Sequence, residues 1–238
     1  MVGSAHALIA YKFLSEGAIG LYSGFHWPVE EWVEAGGPLV ASVNGIHACR
    51  VRDLPNWIDD ELWTAELAGK MVERDTMVVA ARGRLVGRIE GWTQATAQAF
   101  AEDCASQTRD HAAGALRRRG LDAEAAELSK LADLGEIQSW AVEYAARGEG
   151  YPASAAAFAA DTVALVNGWR PDSWLEGLSV GANVVQRPAT TAANLGFVVA
   201  HGAGLDAADA GGTYDGGFAA ERARQVAWLA ERLGLERA

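Results

Sequence analysis

The hydrophobic periodicity of this chain changes character once, at Trp92-Thr93, and that change limits the folds open to it. Before it, apolar residues come in short runs or alternate, and the runs are punctuated by Gly, Pro and Asn. After it, alanine-rich segments repeat at helical spacing. Strands gathered in one block and helices in another predict an α+β protein rather than an alternating α/β one. The expected organisation is a strand-rich N-terminal part, 1–92, with five to seven mostly antiparallel strands and one short helix. It packs against a C-terminal helical bundle, 93–238.

The first part reads as a buried strand over 5–14 (AHALIAYKFL), then a strand AIGLYSGFHW that stops at Pro28. GPLVASVNGIHACRV is interrupted by Asn44-Gly45, which predicts a hairpin or bulged pair. Asp53 is placed to cap a short helix through DLPNWIDD, with Pro55 in its first turn. ELWTAELAG alternates as a strand, and TMVVAARGRLVGRIEGW reads as two strands around Arg82-Gly83-Arg84. Helices are expected near 94–118, through AEAAELSKLAD, at 136–147, at 152–166 and at 189–203. The stretch 167–188 reads as a long loop, and GLDAADAGGTYDGG as a linker before a last amphipathic helix carrying Phe218, Val226, Leu229 and Leu233.

Composition removes several classes of function. Of 20 Lys/Arg and 31 Asp/Glu, the first 95 residues hold eight and twelve, so both parts are acidic and neither offers a basic footprint for nucleic acid or an anionic membrane. Cys49 and Cys104 are the only cysteines, too few for a disulfide framework or a cysteine-rich zinc site. The start, Met1 to His6, lacks a signal-peptide layout, and no apolar run approaches a bilayer span, so a cytoplasmic protein is expected. GxxxxGK[ST], HExxH and a GxGxxG following a strand are absent.

The densest set of reactive side chains lies in the first part. His47 and Cys49 are two apart, which on a strand aims both at one face, and Tyr11, His26 and Trp27 sit on neighbouring expected strands. This makes His47, His26, Cys49 and Tyr11 the catalytic candidates, with histidine as acid-base group and Cys49 as nucleophile. The ordinary alternative is that His47 and Cys49 pack inside a sheet. His47-x-Cys49 supplies two metal ligands without an obvious third, so no metal and no other cofactor are expected. Substrate-binding candidates are Trp27, Trp63, Trp169 and Trp174, together with His111, which follows Phe100, Cys104 and Thr108 on one helix face, and His201, which follows Leu195, Phe197 and Val198. Arg82, Arg84 and Arg88 share strand parity, suited either to an anion or to a solvated hairpin face.

The segments AYKFL, GLYSGFHWP, GIHACRVRDLPNWIDDELWTAELAG and ERARQVAWLAERLGL resemble a family of uncharacterised proteins from high-GC actinobacteria, over most of 8–105 and the last helix. That resemblance implies no established activity. The order of AYKFL, GIHAC, DLPNWIDD and ELWTAELAG is also loosely similar to ADP-ribosyltransferase-like folds, which implies Tyr11 and His47 beside the nicotinamide of NAD and Glu90 as an assisting acid. The Ser-Thr-Ser and Gln-x-Glu elements of those folds are missing. The expected function is a small-molecule enzyme, of specialised bacterial metabolism, using metal-free acid-base chemistry in a pocket between sheet and helices. The alternatives are an NAD-dependent ADP-ribosyltransferase-like enzyme and a non-enzymatic ligand-binding or interaction module.

Overall fold

The computed structural model describes residues 7–167 and 187–235. Its elements are those of an α+β protein: an antiparallel five-stranded sheet from the N-terminal part and helices from the rest. The chain divides into two compact units, Met1–Thr96 with Val226–Ala238, and Ala97–Gln225.

The strands are β1 (Leu8–Leu14), β2 (Val33–Glu34), β3 (Ile46–Ala48), β4 (Glu61–Glu73) and β5 (Val78–Arg88). β1 pairs with β4, with Lys12 opposite Trp63, and β4 forms a long hairpin with β5. Along its other edge β5 takes both β3, with His47 opposite Val79, and β2, with Val33 opposite Gly83. Just after β3 the backbones of Tyr11 and Cys49 exchange hydrogen bonds of 2.8 and 2.7 Å. That bridge returns the ladder to β1, so the sheet closes on itself and hides edges that would otherwise pair with other chains. Ala10, Ile46, Ala48, Leu67, Val78 and Ala80 form a buried cluster beneath Trp27 and Val33. Phe13 packs edge-on against Trp92 at 5.3 Å between ring centroids.

Three strand-region expectations need correction. AIGLYSGFHW is a set of turns joined by single bridges, Ser15 to Ile19 and Ile19 to His26, and not a strand. Gly17 and Ala18 hold positive φ (83° and 57°), and their N–H groups are satisfied by the Glu61 carboxylate at 3.2 and 3.1 Å instead of by a ladder. Residues 76–92 hold one strand and not two. Gly83 lies inside β5, where a Cβ would stand 2.5 Å from Ile46 Cγ2, so its glycine serves close approach and not a turn. The short helix is a 3-10 turn over Val51–Asn56 with Asp53 inside it. Asp53 reaches back to the Arg50 backbone N–H at 3.1 Å and side-chain Nε at 2.5 Å.

The helices are α1 (Gln94–Arg118), α2 (Asp122–Lys130), α3 (Leu134–Arg147), α4 (Gly150–Val166), α5 (Pro188–Asp209) and α6 (Tyr214–Leu233). Pro188 opens α5 at its first turn, and Asp133 caps α3 by accepting from the Glu136 N–H at 3.0 Å. The expected linker GLDAADAGGTYDGG is mostly helical. Asp206 and Asp209, on the last turn of α5, accept hydrogen bonds from Arg118, and Gly204 lets Tyr214 pack against the α5 backbone. In the helical unit Ala112, Ala115, Ala141, Ala156 and Ala159 are fully buried with Leu116 and Leu128. Small side chains allow close helix approach there. Most of the loop expected at 167–188 lies outside the described residues. Among the described residues no helix is long and apolar enough to cross a membrane.

Candidate functional site

A cavity of about 900 Å³ belongs entirely to the strand-rich unit. Its floor comes from β1 and β3, and its sides come from the 20–27 and 42–45 turns. That volume matches pockets that hold small organic molecules. Tyr11, Phe25, Trp27 and Trp57 line it, and at its mouth Tyr22 is 87% exposed and Val43 79% exposed. The apolar mouth follows from the 16–44 segment folding as turns, which leave large side chains without neighbours.

One cation reaches this cavity. Lys12 shares strand parity with the buried Ala10 and Leu14, so its side chain is carried toward the sheet's covered face. Its Nζ lies 4.7 Å from the centre of the Trp27 ring and donates to the His47 carbonyl oxygen at 2.6 Å. Neither partner carries a negative charge, and among the described residues no carboxylate is paired with Lys12. Burial lowers the amine to a pKa of about 8, slightly offset by Cys49. The other cavity-lining charge, Glu34, is neutralised by Arg82 at 3.0 Å. The chain carries three lysines, Lys12, Lys70 and Lys130, against seventeen arginines. A guanidinium stays charged at any physiological pH, whereas an ammonium can lose its proton. Of the three lysines, the other two are exposed.

His47 lines the same cavity, yet it is already committed. Its Nε2 accepts from the Ser42 N–H at 2.9 Å, and its ring also bonds the Gly45 backbone. Burial first, and the Lys12 charge second, hold the imidazole below its ordinary pKa. It is therefore a neutral brace for the 42–45 turn. Because its folded pKa lies below 6.5, its contribution to stability is complete above pH 6.5 and is lost as pH falls toward the folded value. Hydrogen exchange at Ser42 N–H, corrected for intrinsic rate, should accelerate several-fold between pH 7 and 5. In His47→Phe it should be fast at both.

Cys49 lines the cavity from the end of β3, and burial, then the charge of Asp53, push its thiol well up. A thiol held protonated is a poor nucleophile. Tyr11, a catalytic candidate from the sequence, and Trp27, a binding candidate, both line the cavity, whereas His26 is exposed and outside the lining. Trp63 packs with Leu14, Ala18 and Leu85 and donates its indole N–H to Glu61 at 3.0 Å, so it is structural. Glu90 is exposed and outside the cavity. Arg82, Arg84 and Arg88 are each paired with a glutamate, Glu34, Glu66 and Glu61, which leaves no vacant anion seat on that face.

In the helical unit Cys104 is buried with its thiol pushed up, and Thr108 bonds Thr162 at 2.8 Å. His111 Nδ1 lies 3.6 Å from Asp206 beside a shallow cavity of about 330 Å³. His201 was expected on an inner face. It is exposed instead, with Nδ1 2.7 Å from the Tyr214 hydroxyl, because that side of α5 also turns Phe197 outward. Trp169 and Trp174 lie outside the described residues. Among the described residues no group of three or more His, Cys, Asp or Glu could hold a metal ion.

The chain matches no protein-family model, no curated protein and no solved structure. Lys12 is not among the residues that motif and residue type single out in the sequence. The available signal was its place on the parity of Ala10 and Leu14 in a chain that otherwise prefers arginine.

Proposed function

We propose that the strand-rich unit carries the site of a small-molecule enzyme whose metal-free acid-base group is Lys12. The supporting observation is an amine set in an aromatic-lined cavity against two uncharged partners, the His47 carbonyl and the Trp27 ring. A lysine kept for stability would be expected beside a carboxylate or with its ammonium in water. An amine titrating near 8 can hold or release a proton at neutral pH, as an ordinary lysine cannot. His47 serves by shaping the turn that walls the site, and Tyr11 and Trp27 supply flat surfaces for an apolar substrate body.

Competitive acetylation tests the reading. With a trace of acetic anhydride, the rate of Lys12 modification, mapped by peptide mass, should rise with a midpoint near pH 8, while exposed Lys70 and Lys130 follow the ordinary lysine profile. A Lys12 profile indistinguishable from those two would sink the assignment.

A further inference from the structure

We infer that Lys12 is an amine nucleophile toward aldehydes or ketones carried on an apolar body, held in the cavity as imines. This rests on the reading of the cavity given above and adds the class of substrate. Three features of the site lead to it. An imine-forming amine must be free of a carboxylate partner, since an ion pair keeps it protonated and blocks its lone pair. Among the described residues, the partners of Lys12 are the His47 carbonyl and the face of Trp27. A carbonyl compound is neutral at its reacting carbon, and the cavity offers it no second free charge, because Glu34 is held by Arg82. The rest of the ligand would meet Tyr22, Phe25 and Val43, whose exposed apolar surfaces stand at the mouth of the cavity. A polyanionic ligand such as a nucleotide would find one ammonium and an acidic chain of net charge −11.

The step balances within the two reactants. The Lys12 Nζ lone pair forms a bond to the carbonyl carbon, and the carbonyl π pair moves to oxygen, which takes a proton from the nitrogen. The carbinolamine then loses its oxygen as water, carrying off the second proton from nitrogen, and the C=N bond forms. No electron is gained or lost overall. The Trp27 face stabilises a protonated imine as it does the ammonium.

Reductive trapping decides the matter. The full chain is incubated at pH 8 with benzaldehyde and sodium cyanoborohydride, which delivers hydride to an imine carbon and leaves a stable benzylamine. Lys12 should be benzylated at least ten times faster than Lys70 and Lys130, which serve as exposed internal controls. Lys12→Arg should keep the native circular dichroism and melting curve, leaving only the slow background. Acetylation of Lys12 with a midpoint near 8 but benzylation no faster than at Lys70 would overturn the carbonyl class while leaving the acid-base reading intact. A Lys12 that titrates and reacts like Lys70 in both assays would overturn both.

Discussion

Lys12→Met will make the protein more stable at pH 7 while abolishing the amine chemistry proposed for it. Lowering a lysine from 10.5 to about 8 corresponds to about 3 kcal/mol of preference for the neutral form in the folded state. At pH 7 the folded protein bears this cost, because Lys12 is still charged. Methionine keeps the length and apolar stem of the side chain without the charge. Against the gain stand the lost hydrogen bond to His47 and the lost contact with Trp27, about 1 kcal/mol each. The balance is a stabilisation of about 1–2 kcal/mol, measurable by denaturant unfolding at pH 7. A variant less stable than the parent would mean that Lys12 is structural.

The pH dependence carries the same information with a definite sign. Between about 8 and 10.5 the unfolded chain binds the Lys12 proton and the folded chain has released it, so this residue makes stability rise with pH. His47, whose carbonyl accepts from Lys12, is held below its ordinary pKa and is already neutral there. Cys49 acts in the opposite sense. Its thiol is held protonated when folded, so above pH 9 the unfolded state loses that proton first and stability falls. The two slopes partly cancel in the parent. The difference between the parent and Lys12→Met isolates the rising one, and a flat difference from pH 7 to 10 would remove the case for a lowered amine.

What could be read from the sequence divides along a physical line. β4 and α1 follow local periodicity, so alternation in ELWTAELAG and the spacing of Phe100, Cys104 and Thr108, all buried on α1, suffice. The turn at 16–18 has no such periodicity, because partners 43 or 44 residues away satisfy its backbone: Glu61 holds Gly17 and Ala18, and Asp60 holds Glu16. A glycine such as Gly83 likewise means a turn or a close approach, and only the neighbouring strand decides which. The candidate site shows the same limit. Residue type drew attention to His47 and Cys49, but hydrogen bonding and burial remove them from chemistry. The surroundings of Lys12 are set by His47 and Trp27, 35 and 15 residues away, and neither contact can be read from AYKFL itself.

Glu61→Ala should have the largest effect on stability, about 3–5 kcal/mol, and should empty the cavity of its wall as well. Glu61 is 5% exposed, and its carboxylate takes the Gly17 and Ala18 N–H groups, the Trp63 indole N–H and the Arg88 guanidinium at 3.0–3.3 Å. Burial alone would raise its pKa, but the bonds from Trp63, Gly17 and Ala18 with the Arg88 charge outweigh it, and the carboxyl stays below its ordinary value. Alanine would strand these donors around a hole, and a buried group deprived of its partner loses far more than the pair contributes net. Glu61→Gln keeps one acceptor oxygen and the side-chain volume, so it should lose roughly half as much. The sign with pH follows from the lowered value: the contribution is complete above pH 4.5 and lost as pH falls through the folded pKa, so the deficit of Glu61→Gln should narrow on acidification. Since Glu61 pins Gly17 and Ala18 at the foot of the turns that carry Tyr22, Phe25 and Trp27, Glu61→Gln should also slow benzylation of Lys12 relative to Lys70 at pH 8. An equal rate in a destabilised variant would show that the 20–27 turns hold their place without Glu61, and that β1 and β3 alone create the environment of the amine.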